Sequence, residues 1–531
     1  VLGHNRLSII DLSNAGAQPM VSADGRYALA FNGEVYNHRE LRAELRDYPF
    51  RSACDTEVVL AAWAAWGAAS LSRLVGMFAF VIWDTRTGEA HLVRDRFGVK
   101  PLYLAETPDG GLLVASEIKG IHAAGFPRQP DISTWATYLV TGRQELADRT
   151  FWSGVRPVPP GVVVTWQGGS LRSKVWYDLA AEVGVAEDDR GDEEVAEEWL
   201  ALARESIEFR FRSDVPVGVN LSGGVDSSFL LAALHAVQGA DSAVEAFTFI
   251  TGDPAYDELP WVNELLSQTR HPSVVVELRP QDVPDLSQSV ALFQDEPYGG
   301  IPTLAYAKLF ASARERGIVV LLDGQGLDEQ WGGYDYYRSA TRATEAPIVQ
   351  GTSDAPTRAE AVLPEALDSV VRMHPLGQGD PLRAMQIRDL TRTKIPRALR
   401  FNDRVSMRSS CELREPFLDH RLVELALRQP AARKVSETQG KVFLRQTLAD
   451  YLPGRVVEAP KRPLQTPQRE WLRGPLSNWA TDMIELGLAG HGSDLLDGDQ
   501  VREQWRRYLG GEGDNSFFVW QWVSLGLVTS I

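Results

Sequence analysis

The sequence predicts two domains of different class: an α+β domain built on antiparallel sheets, then an α/β domain with a doubly wound parallel sheet and a helical C-terminal part. Three observations lead there. Residues 1–178 are mostly short apolar runs of strand length separated by turn signals. From residue 193 onward, helical patterns alternate with buried apolar strands. At residues 215–228, VPVGVNLSGGVDSS, an apolar strand, a turn of small residues and an apolar helix follow one another. The first pattern is that of antiparallel sheets with helices set apart, and the second that of strands joined by crossover helices. A chain of 531 residues also exceeds what one core accommodates.

In the first half, strands are predicted at residues 7–12, 27–31, 77–83, 90–93 and 112–116, with turns at Ser22-Ala23-Asp24-Gly25 and Thr85-Arg86-Thr87-Gly88. Helical spacing marks residues 39–46 and 56–66. An acidic stretch between residues 182 and 198, including Asp188 and Asp189, reads as a solvated linker running into an exposed helix. The expected division is therefore residues 1–180, a linker at 181–192, and a second domain over 193–531. In that domain, residues 215–221, 245–250 and 318–322 read as buried strands and residues 229–237 as a helix. Another helix is expected to start at Tyr256-Asp257-Glu258, and the last third reads as helical. No internal repeat is visible.

Composition narrows the function. With 54 Lys+Arg against 71 Asp+Glu, the formal charge of −17 repels nucleic acid and anionic membrane over most of the surface. Any phosphate binding must then be local. Cys54 and Cys411 are the two cysteines, too few for a disulfide framework, and a reducing cytoplasm fits. No apolar run reaches membrane-spanning length, the longest candidate being residues 517–528. The chain opens at Val1, in what reads as a strand leading to Gly3-His4-Asn5-Arg6, so a missing N-terminal piece is expected.

The loop after residue 221 carries the first chemical signal. Gly223 and Gly224 let the backbone approach an anion, and the free N–H groups of the following helix point at it. No lysine follows the glycines, so this is not the GxxxxGK[ST] loop. A Gly-Gly turn with a helix cap at Ser222 or Asp226 is the plainer alternative. SGGVDSS resembles the pyrophosphate loop of ATP-pyrophosphatases, which cut ATP between the α- and β-phosphates. That resemblance implies ATP held by Leu221, Ser222, Gly223, Gly224, Val225, Asp226, Ser227 and Ser228, with Asp226 helping to hold Mg²⁺.

Five stretches of the first half, in order, resemble class II glutamine amidotransferase domains of the N-terminal-nucleophile type, which are antiparallel sandwiches. They are GHNRLSI from Gly3, FNGEVYN from Phe31, CDTE from Cys54, GMFAF from Gly76 and RDRFGVKPLY from Arg94. The resemblance makes Arg6 the partner of the glutamine α-carboxylate and Asp55 a partner of its α-ammonium. Asn32 and Gly33 become oxyanion-hole donors, and Glu34 lines the pocket. A guanidinium suits a carboxylate, and an amide with a backbone N–H suits an oxyanion. The family's nucleophile is a cysteine at the mature N-terminus, absent from this chain, so the glutaminase half is expected to be inactive as given. Cys54 has no adjacent base and reads as an inert thiol.

The second half resembles asparagine synthetases. Asp323-Gly324-Gln325-Gly326-Leu327-Asp328 follows the third strand and matches the segment carrying a second Mg²⁺ aspartate, here Asp328. Gly324 and Gly326 flank the site. Best-known members have glutamate where Gln325 stands, and a glutamine cannot act as a base at neutral pH. Motifs at Arg400-Phe401-Asn402-Asp403-Arg404, Glu412-Leu413-Arg414-Glu415-Pro416-Phe417-Leu418-Asp419 and Gly440-Lys441 follow in family order, as does Lys461, which the resemblance assigns to charge stabilisation around the adenylate. Arg404 and Arg414 read as structural ion-pair partners.

Together these imply a ligase in the cytoplasm that uses ATP, Mg²⁺ and glutamine to amidate a carboxylate, with aspartate to asparagine the leading case and a homodimer possible. A relative acting on another carboxylate, such as a natural-product amidotransferase or a lactam-forming cyclase, is the first alternative. A non-catalytic binding protein is the second. The glutamine-pocket residues count against a cyclase, and Gln325 counts for a non-aspartate acceptor.

Overall fold

The computed structural model describes residues 1–146, 148–239, 242–338, 355–371, 380–459 and 466–531. Its first half is an antiparallel sandwich. The larger sheet has the order β1 (Met20–Val21), β2 (Tyr27–Val35), β3 (Gly76–Asp84), β4 (Glu89–Arg94), β8 (Val162–Gln167), β9 (Ser170–Val175). The smaller sheet has β6 (Leu112–Ala115), β5 (Tyr103–Glu106), β7 (Arg156–Pro157). Alternation along β3 decides the layering: Phe78, Phe80 and Ile82 face the helix Asp55–Trp66, while Ala79 faces the core shared with Leu104 and Val164.

The predicted strand over residues 7–12 does not form. This segment finds no strand partner, and Arg6 folds it instead, donating to the carbonyls of Ile10, Asp11 and Ser13 at 3.0, 2.5 and 2.8 Å. Ile9 and Ile10 are then buried beside Val217 of the second half. The strand predicted at 27–31 extends to Val35, which places Asn32, Gly33 and Glu34 within β2.

The second half contains a parallel sheet of order β12 (Ser273–Glu277), β11 (Ala246–Ile250), β10 (Val217–Asn220), β13 (Val320–Leu322), β14 (Glu412–Arg414). It is covered on both faces. Val219 and Leu322 pack with Trp199, Phe229 and Trp331, whereas Leu321 and Phe247 pack with Leu304, Phe310 and Trp520. The segment Glu412–Arg414, read from sequence within a helical region, is the fifth strand. Its three residues are all buried and are held in register by Val320, Leu321 and Leu322. Such a short run carries no periodicity of its own.

Chain order runs from β10 to β11 on one side and later to β13 on the other, so the loops after β10 and β13 flank the point where strand order reverses. That is where open α/β sheets bind ligands. The helix Asp192–Arg210, expected to be exposed, buries Val195, Trp199, Ala203 and Ile207 along one face. The apolar run near the C-terminus is the helix Phe517–Thr529, buried along most of its length. Among the described residues no helix is long and apolar enough to cross a membrane.

Candidate functional site

The turn after β10 and the turn after β13 open into one cavity of about 670 Å³. Ser222, Gly223, Gly224, Val225, Asp226 and Ser227 line it from one side, and Asp323, Gly324, Gln325, Gly326 and Asp328 from the other. Local bonds hold the first turn: Ser222 N donates to Ser227 Oγ at 3.1 Å, and Ser227 Oγ donates to Ser222 O at 3.0 Å. Gly223 N donates to Glu258 Oε2 at 3.0 Å, so an anionic oxygen already sits on the loop's backbone. The helix cap is Gly224, with no side-chain cap bond, which removes the plainer reading of Ser222 or Asp226 as a cap. Leu221 and Ser228 do not line the cavity. Both are buried in the packed interior, at the strand tip and within the helix Val225–Gln238.

The turns approach each other closely because Gly324 has no side chain. A Cβ there would lie 2.7 Å from Ser227 N. Among the described residues, Asp226 and Asp328 meet across the ammonium of Lys441, whose Nζ is 2.5 Å from Asp226 Oδ1 and 2.6 Å from Asp328 Oδ1. Three glycines make room for this lysine. A Cβ on Gly333 would lie 1.9 Å from Asp328 Oδ1 and 2.6 Å from Lys441 Cε, and one on Gly440 would lie 2.1 Å from Gly332 O. Lys441 itself holds a left-handed φ of 58°. The sequence drew attention to the neighbouring motif but gave Lys441 no role, since its contacts come from residues more than a hundred positions away. Lys461 lies outside the described residues.

Burial pushes two cavity carboxyls up. Asp323 reaches about 6, chiefly by desolvation and opposed by the hydrogen bond from Asn220 Nδ2 at 3.1 Å. Glu329 reaches about 7 through desolvation and the neighbouring Asp328, while Tyr334 donates to it at 2.8 Å. Gln325 presents a buried Oε1 with no hydrogen-bond partner.

The predicted glutamine-binding residues lie in the sandwich, at and around one end of β2. Asn32 Nδ2 donates to Ser116 Oγ at 3.4 Å. Gly33 has a φ of 144°, and a Cβ there would lie 2.1 Å from Met77 O. Asp55, at the start of its helix, accepts from Val35 N at 2.9 Å. Two residues sit otherwise than the pocket reading expects. Arg6 is engaged by the carbonyls noted above, and Glu34 is only 4% exposed, its Oε1 3.3 Å from Arg414 Nη2. Cys54 is buried and its thiol is pushed up to about 12 by desolvation, as expected of an inert group.

Arg414 links the two sites. Its guanidinium reaches Glu34, and its carbonyl accepts from Asp323 N at 2.9 Å. A second buried tie, Lys100 Nζ to Asp403 Oδ1 at 2.9 Å, crosses the same junction. From sequence Arg414 reads as a structural ion-pair partner with no partner named, Glu34 as a pocket residue, and Lys100 and Asp403 have no role assigned.

Fold and site define a two-domain protein of the glutamine amidotransferase class, an antiparallel sandwich joined to a doubly wound parallel sheet with paired carboxylates at its strand tips. The family model for asparagine synthase matches residues 198–530 and that for a glutamine amidotransferase domain matches residues 1–177. The chain belongs to the asparagine synthase family. A putative asparagine synthetase [glutamine-hydrolyzing] of Mycobacterium tuberculosis (strain ATCC 25618 / H37Rv) is 32% identical, covering 98% of this chain and 87% of that one. Asparagine synthetase [glutamine-hydrolyzing] 1 of Bacillus subtilis is 26% identical over the same shares, 98% and 87%. A protein named amidase chyE, of Penicillium rubens, is 26% identical over 90% of this chain and 82% of that one.

Proposed function

We propose that this chain is a ligase that activates a carboxylate with ATP and converts it to an amide with ammonia from glutamine. The division into residues 1–180, 181–192 and 193–531 is part of this reading. Its strongest support is the meeting of Asp226 and Asp328 beside the loop at residues 222–227, within one cavity. The carboxylates fit a divalent cation, because a cationic group already lies between them at bonding distance. Mg²⁺ held there would neutralise charge on the departing pyrophosphate.

The chain's own residues carry the rest. Backbone N–H groups of Gly223 and Gly224 would meet the phosphates at the helix start once Glu258 has yielded its place on Gly223 and Ser222 Oγ its place on Gly224. The acceptor carboxylate oxygen attacks the α-phosphorus and pyrophosphate leaves. Ammonia then attacks the acyl carbon, and AMP leaves with the original carboxylate oxygen. Gln325 Oε1 accepts a hydrogen bond from the incoming nitrogen or the acceptor, but takes no proton. Lys461 would offset charge as the adenylate forms and collapses. On the glutamine side, Asp55 would hold the ammonium and Asn32 and Gly33 the oxyanion; Arg6 would reach the α-carboxylate only on leaving the carbonyls of Ile10, Asp11 and Ser13, and Glu34, buried against Arg414, would back the pocket rather than touch the amino acid.

Aspartate to asparagine is the leading reaction, in line with the names of the bacterial relatives. Amidation of a different carboxylate is the second reading, favoured by Gln325 and by the similarity to the Penicillium amidase. The test is pyrophosphate release with ATP, Mg²⁺ and ammonium chloride across a panel of acids. Asparagine and pyrophosphate in equal amounts from aspartate would support the first reading, and turnover only with another acid would move the assignment to the second. No pyrophosphate with any acid would overturn both.

A further inference from the structure

The cavity is larger than its phosphate-binding edge, and its far wall has a composition of its own. There the helix Lys394–Arg408 turns Lys394, Arg397, Ala398, Phe401 and Asn402 toward the space. That spacing defines one helical face. The wall is closed from the first domain by Gln144, which also lines the cavity and accepts from Arg400 Nη2 at 2.7 Å. Behind it, Phe401 packs on Gly299 so tightly that a Cβ there would lie 2.9 Å from the ring.

Among the described residues, five cations line the cavity. Lys441 is paired with the two aspartates, and Arg445 donates to the carbonyls of Gly440, Val457 and Ala459. Arg469 is paired with Glu470, and Lys394 stands over the rings of Tyr334 and Tyr336 at 5.2 and 5.3 Å. Among the described residues Arg397 has no ion pair, hydrogen bond or ring partner. No acidic residue occupies the first turn of its helix, so the positive end of the helix dipole adds to its charge. Among the described residues, two further groups in the cavity have no hydrogen-bond partner. Thr466 is 7% exposed with an unbonded Oγ, and Gln325 Oε1 is buried and unbonded. A guanidinium wants an anion, a hydroxyl can donate to it, and an amide oxygen wants an N–H.

We propose that Arg397 selects the acceptor: its guanidinium seats a second carboxylate, distinct from the one that is activated, on an acceptor that also carries an N–H donor. This rests on the ligase reading above. The seated group must be a second one for a chemical reason. The reacting carboxyl loses its charge on becoming the acyl adenylate, so an ion pair with it would stabilise the ground state more than the transition state. A carboxylate that stays ionised through both steps keeps its arginine throughout. Arg397 is thus a specificity residue for dicarboxylic acceptors with an amino group.

The experiment measures binding rather than turnover. Wild type, Arg397→Gln and Arg397→Lys are loaded with α,β-methylene ATP, which cannot release pyrophosphate, and titrated calorimetrically with aspartate, succinate and butyrate at fixed ionic strength. Wild type should bind the two dicarboxylates at least about tenfold more tightly than butyrate. Arg397→Gln should lose that preference, binding them roughly ten- to a hundredfold more weakly, with nucleotide affinity unchanged. Arg397→Lys should fall between, since it keeps the charge but not the two-pronged geometry. Equal binding of mono- and dicarboxylates by wild type would overturn the proposal. So would an Arg397→Gln variant that loses nucleotide affinity instead, which would make Arg397 a phosphate ligand. Unchanged nucleotide binding also reports that the variant is folded. If no acid yields pyrophosphate while the dicarboxylate preference persists, the ligase reading fails and the anion seat stands.

Discussion

At the scale of single residues, the ammonium of Lys441 between Asp226 and Asp328 dominates the site, with exposures of only 6% for the lysine and 16% and 11% for the aspartates. Removing the cation would take from both largely buried carboxylates the ion pair that each makes with Lys441. Breaking a buried pair costs roughly 3–5 kcal/mol because of the uncompensated charge left behind. The Lys441→Met variant should lose stability of that order in urea denaturation without divalent ions, and millimolar Mg²⁺ should restore part of it. Unchanged stability would mean that the three side chains do not interact as the geometry requires. The two aspartates were legible from sequence because each sits in a glycine-flanked motif at a strand end. Lys441 was not, since its significance depends on which distant carboxylates the fold delivers to it. Arg6 and Glu34 were legible as residue types, but their orientations were not. One turns to nearby carbonyls and the other to Arg414, choices fixed by neighbours that the local sequence does not specify.

At the scale of elements, long patterned segments and most short strands lie where the sequence placed them, and two short segments do not. The helix Asp55–Trp66 and the strand Gly76–Asp84 lie within a residue or two of their expected bounds, because nine or more residues give periodicity room to show. The segment at residues 7–12 is apolar enough for a strand but has no sheet edge to join, and Glu412–Arg414 is a strand only because β13 lies beside it. Tertiary context decided both. The C-terminal helices Ser477–Ala489 and Phe517–Thr529 show the same dependence: Gly526 lets them touch, and a Cβ there would lie 2.0 Å from Met483 O. Gly526→Val should therefore force the pair apart and lower stability by roughly 1–3 kcal/mol. A fall in thermal midpoint would register it, and an unchanged midpoint would show that the contact can yield freely.

At the scale of the whole molecule, the two domain classes were readable because antiparallel and parallel sheets leave different spacing in a sequence. The way the domains are joined was not. The junction is made of buried charges, among them Lys100 at 1% exposure and Arg414 at 0%, residue types that sequence reasoning assigns to the surface by default. Lys100→Met should leave Asp403 buried and unpaired, at a cost of roughly 3–5 kcal/mol concentrated on the junction. Scanning calorimetry should then show one unfolding peak in wild type separating into two in the variant. A single peak in both would mean the domains are held together by other contacts. The shared residue Arg414 also sets a rule for anyone wishing to retarget this catalyst. Because one arginine answers to the glutamine side through its tip and to the activation side through its backbone, alterations near Asp323 would be felt by the nitrogen supply as well as by the acid being modified.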